Sequence, residues 1–335
     1  MKKMVSLVMV VALVLSMCIC GTAFADDKIK IGVSFAQQQS PRFAYDEAYM
    51  REVIEGQGAE MIVQGANYVQ ATQEAQVENM LSQGIDVLIL VAVSSSMSTL
   101  VDKVKAEGIP VVCYDNFIEN ADLDAYLDRD NHAAGVMQME AAIEAIGEKG
   151  NIAILHGEPT SAVVQGMKTG YEEVLAKYPD INVVTEQYCE GYSAEKALKH
   201  AENALNANNN DIQAFVCTAD VLSVAVVPAL EAAGIAGNCY VTGMDCDVAA
   251  CADIYNGTMG MSIWTEIDVC ATRCAEIAMA LAKGETFEYD EMIQNGDYEI
   301  PKVFVPILKV DKDNLEDWVN NKAPEGWITM EEITG

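Results

Sequence analysis

Amide, carboxylate and aromatic side chains recur in this chain at one kind of position, just after a short apolar run. Gln37, Gln38, Gln39, Ser40, Pro41, Arg42 and Phe43 follow the first run, which ends at Phe35. Asp115 and Asn116 follow a later one, and Gly157-Glu158-Pro159-Thr160-Ser161, Tyr192, Ala219-Asp220 and Met244-Asp245 follow others. Parallel strands place their C-terminal ends on one side of a sheet, so residues in these positions converge on a common crevice. Aromatic rings there cover the apolar face of a neutral, hydroxyl-rich molecule, while Asp and Asn bind its hydroxyls. Taken singly, an Asp after a strand is more often the N-cap of the next helix. The joint recurrence in both halves of the chain points to a binding cleft.

Catalytic patterns are missing. The chain has no Gly-x-Gly-x-x-Gly, no Gly-x-x-x-x-Gly-Lys-Ser/Thr, no Gly-x-Ser-x-Gly and no His-Glu-x-x-His. Nothing pairs a nucleophile with a base, so an enzyme is disfavoured and no cofactor is expected. The acid groups Asp122/Asp124/Asp128/Asp130 and Asp311/Asp313 lack the glycine turn of a calcium loop and read as solvated turns and caps. Cys270 and Cys274 share a helix face, but no further ligand completes a metal site there, and His132, His156 and His200 are scattered.

The elements that carry these residues alternate regularly. Runs rich in Ile, Val and Leu at Ile29–Phe35, Glu60–Gln64, Val87–Val93 and Pro110–Tyr114 read as strands, separated by amphipathic stretches such as Ala71–Leu81 and Met97–Lys105. Gly58, Gly84 and Gly108 stand where helix-closing glycines belong. The rhythm repeats with strands at Asn151–Leu155, Ile181–Glu186, Gln213–Cys217 and Cys239–Thr242 and helices at Asn131–Ile146, Val163–Lys177, Ala194–Asn206 and Leu222–Ala233. Tyr126–Asp128 reads as a crossing segment between the halves. Strands at Met259–Trp264 and Val303–Val310 and helices at Ile267–Lys283 and Asn314–Asn320 complete the sheets. The fold class is therefore α/β, with two doubly wound parallel-sheet lobes joined by a multi-strand hinge. The first lobe is expected over 26–128 plus about 263–300, and the second over 129–262 plus about 301–335.

Length and composition agree. The 335 residues suit two domains of roughly 150 residues each, and 51% hydrophobic residues supply enough apolar surface for real cores. A net charge of −31 disfavours nucleic acid and anionic membranes as partners. Lys2 and Lys3, the apolar run Met4–Cys20 and Ala23-Phe24-Ala25 form a signal peptide over 1–25, so the protein is exported to the periplasm or the outer face of the cell envelope. A lipid anchor at Cys18 or Cys20 is the weaker reading, because Met17 and Ile19 precede these cysteines. Losing the leader's two lysines takes the charge from −31 to −33 and leaves eight of the ten cysteines, expected to be buried free thiols.

On these residues the chain resembles the type I periplasmic sugar-binding proteins of ABC transporters, closest to the D-xylose-binding branch. The resemblance is carried by Ala66-Asn67, the run from Ala71 to Met80 into Gly84-Ile85-Asp86-Val87-Leu88, and Ala197-Leu198 with Ala201–Leu205. Asn208-Asn209-Asn210, Gly243-Met244-Asp245 and the segment from Val305-Pro306 through Lys312-Asp313-Asn314 extend it. It implies that Asp115 and Asp245 bind sugar hydroxyls, that Phe43 and Tyr192 stack on the ring, and that Trp264 lies near the hinge. Asn116, Ser161, Asp220, Gln39 and Arg42 complete the expected site. A monomer delivering a small carbohydrate-like ligand to permease subunits follows, with a sensing module for a membrane receptor as the alternative.

The departures from that family pattern concern charge. Asn116 stands where an Arg is usual, Gln39 near a second Arg position and Thr265 near a Lys position, which leaves Arg42 as the one expected cation in the cleft. Ala219 replaces an Asn, and Ala162-Val163-Val164 a polar run. Three lost charged hydrogen bonds amount to about 4–9 kcal/mol, against about 8 kcal/mol for micromolar binding. The expectation is a neutral or cationic ligand that differs from xylose.

Overall fold

The computed structural model describes residues 28–38 and 41–335. The expected leader over 1–25, the anchor cysteines Cys18 and Cys20, and Gln39 lie outside the described residues. Apolar runs too short and too β-branched for helices form strands β1 (Lys30–Phe35), β2 (Glu60–Gly65), β3 (Val87–Leu90), β4 (Val111–Tyr114) and β5 (Ala125–Arg129). A second series comprises β6 (Gly150–His156), β7 (Ile181–Tyr188), β8 (Ala214–Cys217), β9 (Tyr240–Met244) and β10 (Met261–Thr265), and β11 (Glu291–Asn295), β12 (Tyr298–Val305) and β13 (Ile307–Asp311) follow. They build two sheets, in the orders β11-β12-β5-β4-β3-β1-β2 and β13-β10-β9-β8-β6-β7. Pairing is parallel throughout except at the two edge pairs, β11 with β12 and β13 with β10. Every residue of β3, β4 and β8 is buried, as expected of parallel strands covered on both faces.

Helices α1 (Pro41–Gly56), α2 (Gln70–Ser82) and α3 (Ser98–Ala106) belong to the first sheet, and α4 (Asn131–Ala145), α5 (Ala162–Leu175), α6 (Ala194–Ala207), α7 (Asp220–Ala233) and α8 (Val248–Asn256) to the second. The later α9 (Ile267–Ala282) returns to the first lobe and packs along α1. Two short helices, α10 (Leu315–Asn321) and α11 (Met330–Thr334), close the second lobe beside α8. Each sheet thus has a hydrophobic cluster on both faces. Gly58, Gly84 and Gly108 have φ values of +85°, +73° and +77°, the left-handed geometry that ends a helix. The eight cysteines from Cys113 to Cys274 are all buried and unpaired; Cys270 and Cys274 face the first-lobe core. Among the described residues no helix is long and apolar enough to cross a membrane.

The chain passes between the sheets three times, at Asp130, Glu266 and Pro306. Two expectations change here. Tyr126–Asp128 is not a crossing segment: β5 is an internal strand of the first sheet, between β4 and β12, and the crossing comes after it. The expected single strand Val303–Val310 is two strands, because Pro306 has no N–H to donate to a ladder, and the chain changes sheets at that residue. Residues 301–305 therefore pair within the first sheet, and β10 pairs within the second along its whole length. The expected boundaries near 263 and 300 move to 266 and 306. The Glu266 N–H donates to Pro306 O at 3.2 Å, so two of the three crossings run side by side. The β11–β12 hairpin is held by Asn295, whose amide donates to Ile118 O and Ala121 O and accepts from the Asn120 N–H.

Candidate functional site

Asp115 and Asp245 occupy matching places in the two lobes. Asp115 follows β4 and Asp245 follows β9, and each donates its backbone N–H to the neighbouring strand, to Leu127 O at 2.9 Å and Ile263 O at 2.8 Å. Both have positive φ, 65° and 116°, where a side chain strains the backbone. Strain of this kind is retained where surrounding structure enforces it, and it concentrates at functional sites. Asp245 lies within electrostatic reach of Arg129, Arg42 and Asp115 of the first lobe.

The first-lobe wall is built around Asp115. Arg42, from the first turn of α1, lies 3.1 Å from Asp115 Oδ1 and 3.4 Å from Asp46 Oδ2. Asp46 is fully buried and also accepts from the Tyr114 hydroxyl at 2.9 Å. Arg129, at the end of β5, reaches the same Asp115 Oδ1 at 3.3 Å, and its Nε donates to Asn131 Oδ1 at 3.1 Å. The Asn131 amide in turn donates to Asp128 Oδ2, which also accepts from the Tyr126 hydroxyl. The other Asp128 oxygen is buried without a partner.

Burial opposes charge on Asp115, but Arg42 and Arg129 outweigh it and hold the carboxyl below its ordinary range. Asp128 and Asp46 go the other way: burial pushes each up to about 6, against the pull of Arg129 and Arg42 respectively. The protein packed around Asp245 pushes it up to about 7, with Arg129 the leading opposing influence. Its side chain is nonetheless open to water, which offsets part of that effect.

The second-lobe wall is held by a turn of 3₁₀ helix at Glu190–Tyr192. The Tyr192 hydroxyl donates to Ser161 Oγ at 3.3 Å, and the Gly191 N–H to Glu158 Oε2 at 3.0 Å, which ties the loop after β6 to the loop after β7. Gly157 makes this possible. A Cβ there would lie 2.1 Å from Cε1 of the Tyr192 ring, so only glycine lets the ring rest on that backbone.

The structure thus brings together Arg42, Asp115, Ser161, Tyr192 and Asp245 of the expected residues, and it assigns others elsewhere. Phe43 is buried in the first-lobe core, its ring centroid 5.3 Å from that of Phe35. The Asn116 amide donates to Ala92 O at 2.9 Å, which turns it back into its own lobe. Asp220 is fully buried, and its oxygens accept from the Ser262 hydroxyl and the Asp247 N–H, so it braces the loop carrying Asp245. Trp264 is buried near the second crossing in an aromatic group with Trp318 and Trp327, and Trp327 also meets Tyr45 of α1 at 5.3 Å. Arg42 is not the one cation in the cleft. Arg129, which lies between two acids read from sequence as a solvated turn, is a second, and Asn131 is a further polar group beside it. Among the described residues no group of three His, Cys, Asp or Glu is placed to hold a metal ion.

Residues 31–286 match the periplasmic binding protein domain family. The chain is 33% identical over 308 residues to the D-xylose-binding periplasmic protein of Escherichia coli (strain K12), covering 91% of this chain and 93% of that protein. It is 34% identical over 309 residues to the D-xylose-binding periplasmic protein of Haemophilus influenzae, covering 91% and 92%. Among solved structures, an ABC transporter solute-binding protein from Clostridium phytofermentans with bound β-D-glucose superposes with a TM-score of 0.79 at 24% identity, covering 91% of this chain and 99% of that one. That likeness establishes a shared fold.

Proposed function

The chain belongs to the periplasmic binding protein family, as an exported ABC-transporter solute-binding protein related to the sugar-binding branch, and from that premise we propose that it captures a small neutral sugar or polyol of the xylose type. Hinge closure brings the lobes onto the ligand, and the closed monomer presents it to permease subunits. The observation that carries this reading is the pair Asp115 and Asp245, two strained carboxylates at matching strand ends, with the Tyr192 ring beside them. Carboxylates accept from hydroxyls, and an aromatic face covers C–H surface.

Arg129 changes the charge arithmetic. With one guanidinium returned to Asp115, the cations missing from the family pattern fall from three to two, about 3–6 kcal/mol rather than 4–9. A pentose close to xylose is then compatible with the cleft. The acidic residues still outnumber the two arginines, so a sugar acid fits poorly. Thermal unfolding of the protein lacking residues 1–25, with D-xylose, D-ribose, D-glucose, xylitol, myo-inositol and D-xylonate, tests the proposal. A neutral member at a hundred times its Kd stabilises the protein by about 2.7 kcal/mol. Stabilisation by xylonate alone, or by none of the six, contradicts it.

A further inference from the structure

Arg129 stands one residue before the first crossing, and its side chain is only 6% exposed. One of its nitrogens lies against Asp115 and another donates to Asn131, the first residue of α4. The guanidinium therefore joins a first-lobe carboxylate to the start of the second lobe. It has five donors, and the groups that feel its charge from the second lobe are Tyr192 and Asp245. Asn116, which follows Asp115 directly, is turned away to Ala92, so the second guanidinium at Asp115 comes from the neighbouring strand.

We infer that Arg129 is a positioning residue of this cleft: it holds Asp115 as an acceptor ready for ligand hydroxyls, ties it to the first crossing, and lends its positive charge to Asp245 on the opposite wall. The inference rests on the proposed reading of the cleft as a sugar site. Other charged groups share the neighbourhood. Arg42 and Asp46 enter from α1, Tyr126 and Asp128 from β5, and Lys302 from β12. Asp247 acts on Asp245 from its own loop. Arg42 keeps Asp115 paired when Arg129 is removed, so Asp245 is the more sensitive reporter.

Carboxyl-carbon NMR titration of the ligand-free protein lacking residues 1–25 tests this, with Asp245 assigned through Asp245→Asn. In Arg129→Met the Asp245 midpoint rises by about half a pH unit or more, and Arg129→Lys brings it back toward wild type. An unchanged midpoint in a natively folded Arg129→Met overturns the inference. Should that variant not fold, Arg129→Gln keeps donors, removes the charge and gives the same reading. In a second arm, calorimetry with D-xylose, D-glucose and myo-inositol follows affinity against pH. Arg129→Met binds at least tenfold more weakly than wild type, and its affinity falls on acidification at a higher pH; a uniform loss at every pH would mark a purely structural role and overturn the inference. If wild type binds none of the three, the sugar reading fails, while the carboxyl titration still decides the role of Arg129.

Discussion

Asp115→Ala isolates the charge cluster without requiring a ligand. The substitution removes a carboxylate, 11% exposed, that serves two guanidiniums at 3.1 and 3.3 Å. Arg42 retains Asp46 at 3.4 Å, whereas Arg129 is left with the neutral Asn131 and the field of Asp128. Breaking a buried pair costs about 3–5 kcal/mol, and the remaining partner of Arg42 places this case near 3 kcal/mol. Arg129→Met alone removes one charge-assisted bond while leaving Asp115 paired with Arg42, for about 1.5–2 kcal/mol. The double variant no longer strands a buried cation, so its cost falls short of the sum by about 2 kcal/mol. Urea unfolding of the four proteins, followed by circular dichroism, measures the cycle. Additivity within about 0.5 kcal/mol would refute the claim that Arg129 and Asp115 form one buried unit.

Three further outcomes are expected. Gly157→Ala forces the Tyr192 ring off its seat, since the new Cβ would lie 2.1 Å from the ring; affinity for the best neutral sugar drops about tenfold or more while the unfolding temperature changes little, as calorimetry and thermal unfolding report. Sugar hydroxyls donate to ionised Asp245, whose carboxyl is pushed up toward about 7 by burial and partly returned by water, so binding releases protons and weakens as pH falls below that value; calorimetry in two buffers of different ionisation enthalpy detects the release, and Asp245→Asn abolishes it. Trp264, Trp318 and Trp327 form one aromatic group that touches the first lobe through Tyr45, so sugar-induced closure changes tryptophan emission, and Trp327→Phe removes most of that change.

Much of this architecture can be read from residue order. Short β-branched runs bounded by glycines become buried parallel strands because nothing else satisfies their backbone while hiding both faces. Asp115 and Asp245 stand out because strand ends on one side of a sheet converge. Arg129 was harder to find. It sits between Asp128 and Asp130, where charge alone reads as a solvated turn, yet it falls on the same strand face as Ala125 and Leu127, which are fully buried. A cation on a core-facing position needs a buried acid, and Asp115 at the end of the neighbouring β4 supplies one within reach. Phe43 and Asp220 misled for the opposite reason. Each follows a strand, but the depth of the core at Phe35 and the hydroxyl of Ser262 are tertiary facts that claim these side chains first. Pro306 was visible as a residue, but its role as a crossing depends on which sheet accepts each half of the strand.

The most direct measurement is a crystal structure of the protein lacking residues 1–25, grown with the neutral sugar that stabilises it most. The ring is expected between the lobes, with hydroxyls in hydrogen-bond reach of both Asp115 and Asp245, the Tyr192 ring against one face, and Arg129 still on Asp115. A sugar bound outside the cleft, or held by one lobe with Asp245 free, would contradict the account.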